Sequence, residues 1–193
     1  MRSAAVLCLH GYSQDGATLR SQLRRLTERV GGRASFHFHN APFPVPSVVD
    51  PSKQGFSWWH ANRDKNGEWT YDGVDSTLQA VAEMNEMEKR RAGVGFAGVL
   101  GFSQGGALAS LLVGLNENQQ AHDLPSPLPD LRFAMFAGAF RYRAVSPCYD
   151  HLFGSTSTQS LVTPSLHCIG ARDRIVRNVK SEELADCFSE QTR

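Results

Sequence analysis

The chain has 193 residues, of which 41% are hydrophobic and 20% are charged, a balance typical of a soluble globular protein with one hydrophobic core. Its formal net charge of +1 gives no basis for a general polyanion partner, so we expect no nucleic acid to bind. No segment approaches the roughly 18–20 apolar residues of a membrane span. The first residues also lack the pattern of a signal peptide, so we expect a cytoplasmic protein.

The first part of the chain alternates an apolar run with a helical pattern. The run 4–9 predicts a strand that is buried on both faces, as in a parallel sheet. A loop with the sequence HGYSQDG follows at 10–16. Residues 35–39 predict a short second strand. Between them, one helix ending near 31–32 is predicted by apolar residues at helical spacing, namely Leu19, Leu23, Leu26 and Val30.

Residues 40–73 form a long segment that is rich in proline, glycine, asparagine and aspartate. A loop of this length in a compact domain usually covers a site or is disordered. The tryptophan pair Trp58 and Trp59 favours ordered packing here.

The second part of the chain continues the alternation and completes the predicted fold. Its elements are a helix at 75–91, a strand at 95–102, a helix from 105, a strand at 131–137, an irregular segment at 141–164, a strand at 165–169 and a helix at 181–189 capped by Ser181. Strand–helix alternation predicts a parallel sheet with helices on both faces, as one domain over 1–193. Functional sites in such sheets lie at the carboxyl ends of the strands.

The four cysteines form neither a CxxC pair nor a spacing typical of zinc ligands, so we predict no metal site. Cys8 and Cys168 lie within apolar runs that we interpret as strands. We therefore predict that both are buried free thiols.

The sequence GFSQG at 101–105 follows a predicted strand and precedes a predicted helix, which is the context of a nucleophile elbow. This tight turn holds the serine hydroxyl away from the sheet, and the flanking glycines leave room for neighbouring backbone. The helix N-terminus adds partial positive charge near a developing oxyanion. We predict that Ser103 is the nucleophile; the alternative is a glycine-rich turn with a capping serine.

A serine nucleophile needs a base, an orienting acid and oxyanion donors. We predict that the donors are the backbone N–H groups of Gln104, the next residue, and of Tyr12, in the loop after the first strand. His10 precedes the nucleophile in the chain, and we expect it to order this loop rather than to act as the base.

The predicted acid is Asp173, which follows the strand at 165–169. It comes after the serine in the chain, as the acid does in hydrolases with such an elbow. Taken alone, Asp173 is better explained as a surface aspartate that pairs with Arg172 or Arg174; the elbow and the chain order favour the catalytic role.

With these residues, the chain resembles the FSH-type serine hydrolases, a family with the α/β-hydrolase fold. Four segments carry the likeness: CLHGYSQ at 8–14, the tryptophan pair at 58–59, GVLGFSQGGALA at 98–109, and SLHCIG at 165–170 with Asp173. The GFSQG stretch is shared with acyl-protein thioesterases and related carboxylesterases. The tryptophan pair and the early HGY loop favour the FSH type.

The resemblance implies an α/β-hydrolase fold, in which a mostly parallel sheet and its flanking helices form a three-layer sandwich. It implies hydrolysis of small-molecule carboxylic esters or thioesters through an acyl-enzyme on Ser103, with Asp173 orienting a histidine and with no metal or cofactor. The segments 40–73 and 141–164 would line the acyl pocket, and for the tryptophans packing under the loop remains an equal alternative. The predicted substrate-binding residues are His10, Trp58 and Trp59.

The resemblance also implies a further strand, a Gly-Gly-His turn carrying the base, and a final helix, all of which would lie past Arg193. The seven histidines are His10, His37, His39, His60, His122, His151 and His167, and none follows Asp173. We expect His167 to be buried in a strand, and His151 is the one candidate for a substitute base. Three explanations remain: a fragment of a longer protein, which we favour, a truncated product, or a non-catalytic relative that only binds a ligand.

Overall fold

The computed structural model describes residues 3–118, 126–142, 152 and 160–189. Within them, the strands in chain order are β1 (Ala4–Leu9), β2 (Ala34–Phe38), β3 (Phe43–Pro46), β4 (Gln54–Ser57), β5 (His60–Arg63), β6 (Trp69–Asp72), β7 (Gly98–Phe102), β8 (Phe133–Ala137) and β9 (Ser165–Cys168). The helices are α1 (Gly16–Gln22), α2 (Arg24–Val30), α3 (Val74–Ala92), α4 (Gln104–Glu117) and α5 (Asn178–Ala185). None of these helices combines the length and the apolar character that crossing a bilayer requires.

A five-stranded sheet with the order β2-β1-β7-β8-β9 forms the centre of the structure. Every neighbouring pair in it is parallel. Parallel neighbours need long crossover connections, and the helices between the strands supply them. The predicted α/β architecture, a parallel sheet flanked by helices, is therefore confirmed.

Different helices cover the two faces of the sheet. On β1, Leu7 packs on one face in the same cluster as Leu108 of α4. Val6 and Cys8 pack on the other face with Leu19 of α1. Successive side chains of a strand point to opposite faces, so a strand that is covered on both sides must be apolar throughout. The predicted burial of Cys8 is confirmed.

The predicted first helix is wrong in its extent, because the chain forms two helices there. Leu23 separates α1 from α2 and has φ −89° and ψ 4°. Leu19 is buried and Leu23 packs against the same cluster, whereas Leu26 is 40% exposed. The helical spacing continues in the sequence, but α2 buries none of its residues, so the later apolar positions have nothing to pack against.

The long segment 40–73 contains two antiparallel hairpins, β3–β4 and β5–β6. Trp58 and Trp59, which lie between the hairpins, are 0% and 2% exposed, so the expectation of ordered packing is confirmed. The sequence did not indicate these strands, because each has only four residues and the region is rich in proline and glycine.

The predicted burial of the strand β9 is wrong. Cys168 is exposed, Leu166 is 55% exposed, and His167 is only half-buried. Within the described residues β9 pairs with β8 on one side and is the outermost strand of the sheet. An edge strand lacks the neighbour that would cover it, so its apolar composition does not guarantee burial.

The predicted cap of the last helix is also wrong. α5 begins at Asn178 and its N-cap is Arg177, so Ser181 lies inside the helix. The Ser181 hydroxyl is buried and donates a hydrogen bond of 2.6 Å to the carbonyl oxygen of Ala139. A tertiary contact rather than a helix cap therefore uses this side chain.

We expect Leu108→Ala to lower the free energy of unfolding by about 2–5 kcal/mol, because it leaves a cavity under α4. Leu108 is fully buried. The matched control is Leu26→Ala on the exposed face of α2, which should cost less than about 1 kcal/mol. Urea unfolding followed by circular dichroism measures both, and equal losses would contradict the core described above.

Candidate active site

The loops that carry the predicted site residues emerge at one edge of the sheet. The strand register places Leu9 beside Gly101, Phe102 beside Ala137, and Ala137 beside Cys168. The carboxyl ends of β1, β7, β8 and β9 therefore lie next to one another. The loops that follow these strands can thus contribute to a single site.

Ser103 occupies a strained turn between β7 and α4. Its φ of 51° and ψ of −115° fall outside the ordinary helical and extended regions, and its N–H donates a hydrogen bond of 3.0 Å to the carbonyl oxygen of Ala137. A non-glycine residue with positive φ costs on the order of 1–3 kcal/mol, and the surrounding packing must hold it there. The side chain is half-buried and faces a cavity.

The glycines on both sides of Ser103 are required by backbone packing. A Cβ atom on Gly101 would lie 2.5 Å from the Cα atom of Gly106 and against the carbonyl oxygen of Gly105. A Cβ atom on Gly105 would lie 2.6 Å from the carbonyl oxygen of His10. These neighbours are backbone atoms and cannot swing aside, so the elbow needs a residue without a side chain at both positions.

Two residues that line the cavity with Ser103 have backbone N–H groups without a described acceptor. Gln104 is the first residue of α4, so its N–H has no acceptor within the helix. In the described part of the chain, no acceptor contacts the N–H of Tyr12 either. Tyr12, Ser103 and Gln104 all line the same cavity.

The loop that carries Tyr12 is held by β4. The N–H of Ser13, which has φ 64°, donates to the carbonyl oxygen of Phe56 at 2.9 Å. The N–H of Phe56 in turn donates to the carbonyl oxygen of Gln14 at 2.8 Å. This reciprocal pair fixes the peptide that presents the Tyr12 N–H.

His10 is fully buried and lies behind this loop. Its Nε2 atom accepts the N–H of Ala41 at 3.0 Å, so the ring proton must lie on Nδ1, which donates to the carbonyl oxygen of Gly11 at 2.8 Å. Burial lowers the pKa of His10 below its ordinary value of 6.5, which keeps the ring neutral. Both ring nitrogens are thus occupied by backbone partners, as expected for a histidine that orders the loop.

The side chain of Gln104 connects the elbow to the tryptophan pair. Its Oε1 atom accepts the N–H of Trp58 at 3.1 Å, and its Nε2 atom donates to the carbonyl oxygen of Trp59 at 3.1 Å. The indole N–H of Trp58 donates to the carbonyl oxygen of His10 at 2.8 Å. One buried amide therefore holds the segment 57–59 against the first turn of α4.

The carboxylate of Asp173 lies beside the end of β8. Its Oδ1 atom accepts the N–H groups of Ile175 and Val176 at 2.8 and 2.9 Å. Its Oδ2 atom lies 3.2 Å from the position that a Cβ atom on Gly138 would take. No arginine forms an ion pair with Asp173 in the described ranges, which weighs against the alternative of a surface pair with Arg172 or Arg174.

A cavity of about 540 Å³ opens at this edge of the sheet. Trp59 contributes to its wall, whereas the buried Trp58 and His10 are not among its lining residues. The full lining is Tyr12, Trp59, His60, Ala61, Asn62, Trp69, Tyr71, Ser103, Gln104, Phe140, Ile175, Val176 and Lys180.

The resemblance implied that the segment 40–73 would line the pocket, but the only residues of that segment predicted to bind substrate were Trp58 and Trp59. The hairpin β5–β6, which lies within the segment, supplies five further lining residues, and α5 supplies Lys180. The aromatic side chain of Trp69, which is 46% exposed, was a signal for one of these residues. For Lys180 the sequence held no signal, because only the docking of α5 brings it to the cavity. His122 and His151 lie outside the described residues.

The whole chain, residues 1–193, matches the family model described as serine hydrolase (FSH1). The chain belongs to this family. Among its relatives, the esterase OVCA2 of Xenopus tropicalis is 30% identical over 203 residues, which cover 97% of this chain and 80% of that protein. Family membership confirms the resemblance inferred from the elbow, the tryptophan pair and the early loop.

Two further proteins are similar to this chain, and the match covers different shares of their lengths. A protein of Schizosaccharomyces pombe named dihydrofolate reductase is 27% identical over 197 residues, which cover 94% of this chain and 40% of that protein. The chain thus spans less than half the length of that relative. The structure of acyl-protein thioesterase 2 from Zea mays matches with a TM-score of 0.65 and 21% identity over 97% of this chain and 79% of that one. This likeness supports the α/β-hydrolase fold.

We expect Gly101→Ala to lower the free energy of unfolding by about 3 kcal/mol, because the added methyl group meets immobile backbone. The control is Gly32→Ala, where a Cβ atom would meet nothing within 4 Å. That change should be neutral or stabilise by up to about 1 kcal/mol. Urea denaturation measures both, and an elbow that accepts alanine without loss would contradict the packing described here.

We also expect His10→Gln to reduce the pH dependence of stability below pH 6.5. Because the pKa of His10 is lowered by burial, the unfolded chain takes up a proton first as the pH falls. The stability linked to neutral His10 is therefore complete above pH 6.5 and decreases below it. The side-chain oxygen of the glutamine introduced at position 10 can still accept the hydrogen bond from the Ala41 N–H.

Urea unfolding from pH 7.5 to pH 5 at fixed ionic strength measures this slope. The slope should fall in His10→Gln relative to the parent protein. His37 and His39, whose pKa values burial also lowers, leave a residual slope in this variant. An unchanged slope in His10→Gln would show that this histidine does not titrate as a buried group.

Proposed function

We propose that the protein hydrolyses small-molecule carboxylic esters or thioesters through an acyl-enzyme on Ser103. One observation carries the proposal. Ser103 lies in a strained elbow and shares its cavity with two backbone N–H groups, those of Tyr12 and Gln104, that lack acceptors in the described structure. Membership of a serine hydrolase family supports the same reaction class.

In this mechanism the Ser103 hydroxyl attacks the carbonyl carbon of the substrate after a base removes its proton. The negative charge that develops on the carbonyl oxygen accepts hydrogen bonds from the N–H groups of Tyr12 and Gln104. Such preorganised donors contribute about 3–4 kcal/mol each to stabilising the transition state. Collapse of the tetrahedral intermediate expels the alcohol or thiol, and water then releases the acid from Ser103.

Asp173 is the proposed orienting acid. Backbone N–H groups hold its Oδ1 atom, and no side chain in the described ranges bonds to its Oδ2 atom. The free oxygen suits the N–H of a histidine base. No described histidine forms a hydrogen bond with Ser103 or Asp173. His60 lines the cavity but bonds to neither residue, so the proposed base is a histidine outside the described residues.

The aromatic wall of the cavity is the proposed acyl site. Trp59 meets Tyr71 with ring centroids 6.3 Å apart, and Tyr142 meets both rings at 5.3 and 5.7 Å. Trp59 meets both tyrosines edge to face, and this cluster gives the wall a fixed shape against which an acyl chain packs. Trp58 and His10 support the wall and the oxyanion loop from behind through their hydrogen bonds.

A second candidate function is ligand binding by a hydrolase fold that lacks catalysis. It is favoured because no described histidine forms a hydrogen bond with Ser103 or Asp173. The two functions differ in whether the Ser103 hydroxyl becomes nucleophilic. A reagent that reacts only with an activated serine separates them.

We expect a fluorophosphonate probe to label Ser103, because the oxyanion donors and the elbow activate it. Labelling should disappear in Ser103→Ala and persist in Ser110→Ala, a change on the same helix. Asp173→Asn should slow labelling by a factor on the order of 100 or more, whereas Asp130→Asn at the far end of the sheet should not. Intact mass spectrometry measures the adduct.

Imidazole provides the decisive addition to this experiment. If the chain lacks its own base, free imidazole accelerates both the labelling of Ser103 and the hydrolysis of p-nitrophenyl butyrate. Ser103→Ala then abolishes this acceleration. If His122 or His151 supplies the base, imidazole has little effect, and the corresponding alanine variant loses labelling. Absence of labelling under both conditions would exclude the esterase and leave the ligand-binding function.

A further inference from the structure

The cavity beside Ser103 carries an asymmetric charge. Its described lining is largely aromatic and aliphatic on the side of the hairpin β5–β6. Lys180 is the only lysine, arginine, aspartate or glutamate among the described lining residues. Among the described residues of the wall, a ligand therefore meets one ammonium group and no carboxylate.

Among the described residues, no acid neutralises the charge of Lys180, because none lies within ion-pair distance of its ammonium group. The carboxylate of Asp173 has other contacts: its Oδ1 atom accepts two backbone N–H groups and its Oδ2 atom lies beside Gly138. The ammonium group is thus available to an anion that enters the cavity.

The backbone that carries Lys180 is fixed relative to the elbow. The next residue, Ser181, is buried and donates its hydroxyl to the carbonyl oxygen of Ala139 at 2.6 Å. Ala139 in turn lies so close to Gly106 that a Cβ atom on Gly106 would meet the Ala139 side chain. A chain of tight contacts thus links the first turn of α5 to the first turn of α4.

We propose that the substrate of this site carries an anionic group, a carboxylate or a phosphate, that binds Lys180 while its scissile carbonyl lies at Ser103. This inference rests on the proposed esterase function and specifies its substrate class. The attraction between opposite charges is stronger beside an apolar wall than in bulk water, because the effective dielectric constant is lower. The wall residues Trp59 and Phe140 then contact the uncharged part of the substrate.

Binding of amides, which resist hydrolysis, tests this directly. N-Propylsuccinamate places a carboxylate at the acyl end, N-butyryl-O-phosphoethanolamine places a phosphate on the leaving-group side, and N-propylbutyramide is the neutral reference. Trp59 and Trp69 line the cavity, so the quenching of tryptophan fluorescence reports occupancy. Comparison of the two anionic amides distinguishes an acyl-side charge from a leaving-group charge.

At least one anionic amide should bind about 3- to 10-fold more tightly than the neutral amide at low salt. That ratio should fall to about one in Lys180→Gln. It should be retained in Lys89→Gln, which removes the same charge at the last turn of α3, where the chain leads into the amino end of β7. Raising the ionic strength to 0.5 M should reduce the ratio in the parent protein, since salt screens the pair.

Equal affinities for anionic and neutral amides, no detectable binding of either anionic amide, or an anionic preference that survives Lys180→Gln would overturn the inference. None of these measurements needs catalysis. A protein whose Ser103 is not labelled but which binds anionic amides through Lys180 refutes the esterase function alone. A protein that is labelled but shows no anionic preference refutes this inference alone.

Discussion

The close approach of three backbone segments at the elbow is the constraint on which the site depends. The end of β7, the first turn of α4 and the end of β1 lie so near to one another that Cβ atoms on Gly101 and Gly105 would overlap neighbouring backbone. This approach accompanies the positive φ of Ser103, which lines the cavity. Gln104, the first residue of α4, also lines the cavity, and its N–H has no acceptor within the helix.

The buried side chain of Gln104 connects the elbow to a network of hydrogen bonds. Gln104 is 6% exposed, and its amide binds the backbone of Trp58 and Trp59 with both its oxygen and its nitrogen. Trp58 then binds the backbone of His10, whose ring holds the loop after β1. Ser103, the candidate oxyanion loop and the aromatic wall are thereby positioned by the same set of contacts, so a change in one is transmitted to the others.

The sequence predicted the features that depend on neighbouring residues and failed for several that depend on distant ones. The alternation of apolar strands and helices, and the motif at 101–105, were predicted because they depend on neighbours along the chain. The extent of the first helix, the exposure of Cys168 and the position of Ser181 inside α5 were not. Each of these depends on which distant surface lies against the residue, and local spacing carries no information about that surface.

The sequence by itself determined the fold class, the family of the protein and the position of the candidate nucleophile. Glycine spacing and apolar periodicity reflect local interactions, so both are visible in the sequence. Only the tertiary structure decided the shape and charge of the cavity. The hairpin β5–β6 and Lys180 line the same cavity as Ser103, although these segments lie far apart in the chain. The physical reason is that a cavity wall is formed by packing of distant segments, and no single segment encodes its own partner.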